Sequence, residues 1–160
     1  MRKILLLALV LILSLGIMSI SAEKSKDYDD YYFEGMMYAL SKEYDKAIEA
    51  FSKAIEMNDK DAQAYFGRGL AYSIQHQFDK AILDYNTAIK LNPNHAQSYY
   101  LRSIVHSKKS QFDKAVTDLS IVIKLAPNYA EAYRSRCIAY EKLGNTAAAK
   151  KDFAMYEKLK

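Results

Sequence analysis

A single cysteine, Cys137, excludes a fold held by intramolecular disulfides and leaves the redox compartment open. Two prolines and five glycines, in a body rich in Ala, Lys, Glu, Leu and Ile, favour helix. A glycine-rich phosphate loop is missing: the nearest approach, Gly67-Arg68-Gly69, falls inside a helical pattern. Charge of one sign is also missing. The net charge is +4, and Arg2 and Lys3 lie in an N-terminal leader, so the remainder carries 21 basic against 19 acidic residues. That balance gives no electrostatic ground for a nucleic-acid partner. Hydrophobic residues at 51% and charged residues at 26% exclude a disordered or fibrous chain, and 160 residues suffice for one domain with a core.

Long apolar runs are confined to the leader, residues 1–22. Arg2 and Lys3 precede an uncharged, mainly apolar run from Ile4 to Ile20, followed by small residues and the charged stretch Glu23-Lys24-Ser25-Lys26-Asp27. This is the layout of a secretory signal peptide, cleaved after Ser21 or Ala22. The run of 17 residues also sits at the lower edge of the roughly 17–25 that span a bilayer, so an uncleaved anchor stays open. On either reading the remainder is expected outside the cytoplasm, because the two positive charges hold the N-terminus inside. Residues 4–20 are then the only part expected to touch a membrane.

What fills the rest is a repeat of 34 residues. Tyr31, Tyr65, Tyr99 and Tyr133 form one column; Ala47, Ala81, Ala115 and Ala149 form another. Such self-similarity signals an array whose units bury their apolar faces against neighbours. After a polar tether, 23–27, the units run 28–61, 62–95, 96–129 and 130–160, with no linker between them. In the second unit, Tyr65, Leu70, Ala71, Tyr72 and Ile74 recur at helical spacing. A break at Gln75-His76-Gln77 precedes Ala81, Ile82, Tyr85, Ala88 and Ile89. Asn92-Pro93-Asn94 and Ala126-Pro127-Asn128 stop the second helix, and Asn58-Asp59-Lys60-Asp61 does so without proline. Each unit therefore reads as two antiparallel helices.

At Tyr65, Gly69, Tyr72, Ala81, Tyr85 and Pro93 the sequence resembles the tetratricopeptide repeat family. The resemblance covers nearly everything after the leader and implies an all-α solenoid of about four units in a right-handed superhelix. The third unit departs most, with Ser103 for glycine, His106 for tyrosine and Leu119 for the second aromatic. Small residues at Gly35, Gly69, Ser103 and Cys137, with the alanine column, are expected to let helices approach. Tyr38, Phe51, Tyr72, Tyr85, Tyr140 and Phe153 are expected to fill the space between. Ala81 changed to a bulky residue should then cost roughly 1–3 kcal/mol. At the chain's end, Tyr156 and Leu159 either fold onto the fourth unit, the preferred reading, or meet a partner or second copy.

Arg68, Arg102 and Arg136 are each followed 16 residues later by Asp84, Asp118 and Asp152, while the first unit has Glu34 and Ala50 instead. Joint presence and joint absence point to structural ion pairs between the two helices of a unit; the alternative is that the arginines also reach a ligand. Little else suggests chemistry. His76, His95 and His106 fall in a turn, at a helix start and in a core column, so they do not converge on a metal. Cys137 reads as a buried, inert thiol. No catalytic residue, metal or cofactor is expected.

In tetratricopeptide arrays the first helix of each unit lines a concave groove. The resemblance thus implies a lining of Tyr32, Phe66, Tyr100 and Arg134 in one row and Met36, Leu70, Ile104 and Ile138 in the next. Asp29, Gln63, Gln97 and Glu131 would form a polar rim, with Leu40, Ile74, Lys108 and Lys142 further along. Exposed, these rows suit a partner peptide or helix; the alternative is that the aromatics pack as core. The apolar lining argues against the family's carboxylate clamp. The expected function is a non-catalytic protein–protein interaction module outside the cytoplasm. Its rival is a membrane-anchored assembly factor working through surface contacts or self-association.

Overall fold

In a computed structural model of the protein, residues 27–160 are described; the leader and most of the tether lie outside them. The described residues form eight helices and no strand: α1 Tyr28–Leu40, α2 Tyr44–Met57, α3 Ala62–Ile74, α4 Phe78–Leu91, α5 Ala96–Lys108, α6 Phe112–Leu125, α7 Ala130–Lys142 and α8 Thr146–Leu159. Consecutive helices pack on one another, and each first helix also touches the first helix of the next unit. The protein is an all-α solenoid. None of these helices is long and apolar enough to cross a membrane.

The turn inside each unit repeats to the residue. Lys42, His76, Ser110 and Gly144 take positive φ, at 63°, 60°, 57° and 76°. The following N–H groups of Glu43, Gln77, Gln111 and Asn145 donate to the carbonyls of Tyr38, Tyr72, His106 and Tyr140 at 2.8–2.9 Å. This bond, six residues back to one, satisfies carbonyls left open at the helix end. Three units hold it with a non-glycine residue, at a backbone cost of about 1 kcal/mol each. Two of the three turns between units use asparagine, with Ala126 at that place in the third: the Asn58 side chain accepts from Lys60 N–H and Asn92 from Asn94 N–H. Asp61 then caps α3 by accepting from Gln63 N–H at 2.8 Å. Asparagine does at 58 what it does at 92, so proline is dispensable there.

The alanine column is the closest seam, with Ala47, Ala81 and Ala115 fully buried and Ala149 nearly so. A Cβ on Gly69 would lie 3.0 Å from the Tyr85 ring, and one on Gly35 only 2.8 Å from Phe51. The large column divides. Phe51, Tyr85 and Leu119 are buried, but Phe153 is 52% exposed, contrary to the expectation that it fills space. The first helix of the next unit covers Phe51 and Tyr85; among the described residues no helix does so for Phe153. Tyr38, Tyr72 and Tyr140 are only half-buried, each with a cation over its ring from Lys46, Lys80 and Arg136 at 5.2–5.8 Å. Tyr156 rests against Arg134 of α7 at 5.9 Å, so the chain's last turn lies on its own unit.

Three arginine–aspartate pairs tie first helix to second in their units. Arg68 meets both oxygens of Asp84 at 2.8 Å, Arg102 those of Asp118 at 2.9 and 2.6 Å, and Arg136 those of Asp152 at 2.7 and 2.8 Å. The third guanidinium nitrogen reaches back one unit, to Ser52, Asn86 and Ser120. One arginine thus fixes the spacing of three helices. At the first unit's equivalent place is a polar hollow of about 220 Å³ lined by Glu34, Lys46, Glu49, Ala50 and Lys53 among others.

Candidate functional site

The first helices of units one and two enclose an apolar hollow of about 370 Å³. Its walls are Tyr32, Met36 and Leu40 from α1 and Phe66, Leu70 and Ile74 from α3; its floor is Phe51 with Gly67 and Ala71. Met36, Leu40 and Ile74 are 42%, 75% and 43% exposed, so the hollow opens to solvent. Depth depends on Gly67. A Cβ there would lie 2.6 Å from Phe51 Cζ, so any side chain would displace the ring that forms the floor. Among the described residues the only polar side chain bordering the space, apart from the tyrosine hydroxyls, is Gln63.

The aromatic row is half-buried and does two things at once. Tyr32 stacks on Tyr28 and meets the Phe51 ring edge-on, both at 5.9 Å. Phe66 meets His95 at 4.9 Å, and Tyr100 meets Tyr129 at 5.0 Å. Phe66 and Tyr100 therefore lean on the residue that caps the next unit's first helix. In the first unit that place belongs to Asp61, which accepts a hydrogen bond from the Tyr28 hydroxyl. Burial first, then the Asp61 charge, raises the pKa of Tyr32; burial and the Asp61 hydrogen bond raise Tyr28 further. Both phenols stay neutral donors.

Of the eight residues expected in the groove, the structure brings Tyr32, Met36, Phe66 and Leu70 into one hollow. It does not bring Tyr100, Ile104, Arg134 and Ile138 there. Ile138 is 47% exposed on α7, Ile104 is half-buried, and Arg134 lies over Tyr156. The sequence reasoning missed Tyr44, Ala39 and the floor residues. A signal existed for Tyr44, since Phe78 and Phe112 repeat its aromatic character at the same place in the next two units.

His106, Cys137 and the Tyr85 hydroxyl are buried. His106 is buried, with Nδ1 2.8 Å from the Gln111 side-chain oxygen and Nε2 3.9 Å from Asp118. Burial outweighs both neighbours and lowers its pKa, keeping it neutral. Burial likewise raises the Cys137 thiol, so the reactive thiolate is disfavoured. The Tyr85 hydroxyl is buried without a hydrogen bond of normal geometry, and burial raises its pKa. Among the described residues no three of His, Cys, Asp and Glu stand close enough to hold a metal ion.

Family profiles described as tetratricopeptide repeat match residues 62–95 and 84–117, and one described as TPR repeat matches 35–75. Together they span 35–117, just over half of the chain. The chain is a tetratricopeptide-repeat protein. No curated protein matches it significantly in sequence. Solved structures do. A crystal structure of MamA is 25% identical with a TM-score of 0.83, covering 89% of this chain and 83% of that one. MamA 41-end from Desulfovibrio magneticus RS-1 is 18% identical with a TM-score of 0.80, covering 85% and 77%. The first TPR of Spaghetti (RPAP3), bound to HSP90 peptide SRMEEVD, is 24% identical with a TM-score of 0.72, covering 76% and 96%. The last two matches speak for the tetratricopeptide fold alone.

Proposed function

We propose that this repeat protein is a non-catalytic interaction module, exported across a membrane, that holds a partner peptide or helix between its first two units. The observation that carries the reading is the open apolar hollow walled by Tyr32, Met36, Phe66 and Leu70. An exposed, concave apolar surface with few polar groups is the usual form of a binding site. The RPAP3 repeat domain, bound to a peptide on the same fold, supports it. Peptides selected on the wild-type protein from a displayed random library should bind a Phe66→Ala/Leu70→Ala variant at least about tenfold more weakly. Equal binding at unchanged helicity would overturn the reading. Export is tested separately, by N-terminal sequencing of the protein recovered outside the cytoplasm.

A second reading has its own support. Phe33 and Phe153, at opposite ends of the array, are 64% and 52% exposed. A membrane-anchored factor assembling through such end surfaces would keep its leader and would lose assembly on Phe33→Ser or Phe153→Ser. The groove variant would leave it unchanged.

A further inference from the structure

The hollow ends where the inward columns change character. Leu40 and Ile74 occupy one position in units one and two; Lys108 and Lys142 occupy it in units three and four. The row Tyr32, Phe66 and Tyr100 likewise ends in Arg134. All three cations are exposed, and none forms an ion pair among the described residues. The corresponding apolar positions wall the hollow, and successive first helices touch, so the cations continue the same surface. In the row expected to form the polar rim, those two units carry Gln97 and Glu131, one acid against three cations.

We infer that the partner is a polypeptide segment with an apolar anchor for the hollow, followed by acidic residues that lie along Lys108, Lys142 and Arg134. The inference rests on the groove reading above and adds the partner's chemistry and polarity. An apolar anchor alone gives no reason for cations at positions that are apolar in units one and two. Acidic side chains supply it, because charge complementarity sets orientation and rejects basic partners. Packed neighbouring helices are about 8–10 Å apart and an extended chain advances about 3.4 Å per residue. Acidic residues about three and six positions beyond the last anchor therefore reach units three and four, where Lys108 and then Lys142 and Arg134 lie.

The test uses fluorescein-labelled synthetic peptides and the full-length protein in mild detergent, read by fluorescence anisotropy. One peptide carries two leucines followed by glutamates at those two positions; its twin carries lysines there. On wild type the acidic peptide should bind about fivefold tighter or more, and added salt should erase the difference. Lys108→Glu/Lys142→Glu should reverse the preference. Lys150→Glu/Lys151→Glu, the same charge change on α8, should leave it intact. Equal binding of the twins, tighter binding of the basic one, or a preference indifferent to the Lys108/Lys142 change overturns the inference while the hollow stands. If neither peptide binds, or if Phe66→Ala/Leu70→Ala binds both as well as wild type, the groove reading falls with it.

Discussion

Removing one member of the Arg68–Asp84 pair should damage the solenoid more than removing both. Asp84 is almost completely enclosed, its side chain 7% exposed, and both its oxygens are held by Arg68, itself 20% exposed. Arg68→Ala leaves a buried carboxylate without its cation, a loss of about 3–5 kcal/mol. Asp84→Ala should fall near the lower end, about 3 kcal/mol, because Arg68 keeps its bond to Ser52 and some solvent. In the double variant neither charge is stranded, and what remains is lost packing and register, about 2–3 kcal/mol. The single losses then sum to about 6–8 kcal/mol, well above the double, a coupling of about 3–6 kcal/mol. Urea unfolding followed by circular dichroism and tyrosine fluorescence measures all four corners, and coincident transitions license the comparison. This pair is a cleaner choice than Arg102–Asp118, where His106 lies 3.9 Å from the carboxylate and would respond as well. Additive losses, with coupling below about 0.5 kcal/mol, would refute the claim that the pairs act as a unit.

Gly67→Ala tests the hollow's floor: helix propensity favours alanine by about 1 kcal/mol, but the Cβ would meet Phe51 at 2.6 Å and overpack a buried ring. The clash should win, lowering the thermal midpoint; a rise would show that Phe51 can move aside. Phe153→Ser should cost less than about 1 kcal/mol by urea unfolding, against about 3–5 for Phe51→Ala at the equivalent position, since only Phe51 is covered. The pH dependence follows from His106, whose folded pKa burial holds below its ordinary 6.5. The unfolded chain then binds the proton more readily, so stability should be full above about pH 6.5 and fall as pH drops below it. His95, lowered by burial too, adds in the same direction. His106→Tyr, restoring the side chain that units one, two and four carry there, should flatten part of that slope between pH 7.5 and 5.5.

The 34-residue period, the alanine column and the arginine–aspartate spacing were readable because each is a constraint every unit must meet. A seam that admits only a methyl group selects alanine four times, and a guanidinium that spans two helices selects its carboxylate at fixed distance. The turn conformation was not readable: Lys42, His76 and Ser110 adopt positive φ where glycine would be expected, held by a backbone bond that leaves no mark on side-chain identity. The fate of Phe153 was hidden for a different reason. Its column is shared with Phe51 and Tyr85, and burial there depends on a neighbouring helix rather than on the residue. The hollow shows the same division. The family resemblance implied inward-facing positions for Tyr32, Met36, Phe66 and Leu70; only the packing showed that they enclose one space while Tyr100 leans on Tyr129 instead. Periodicity determines which face of a helix a residue occupies, but whether that face is floor, wall or open edge is decided by what packs against it.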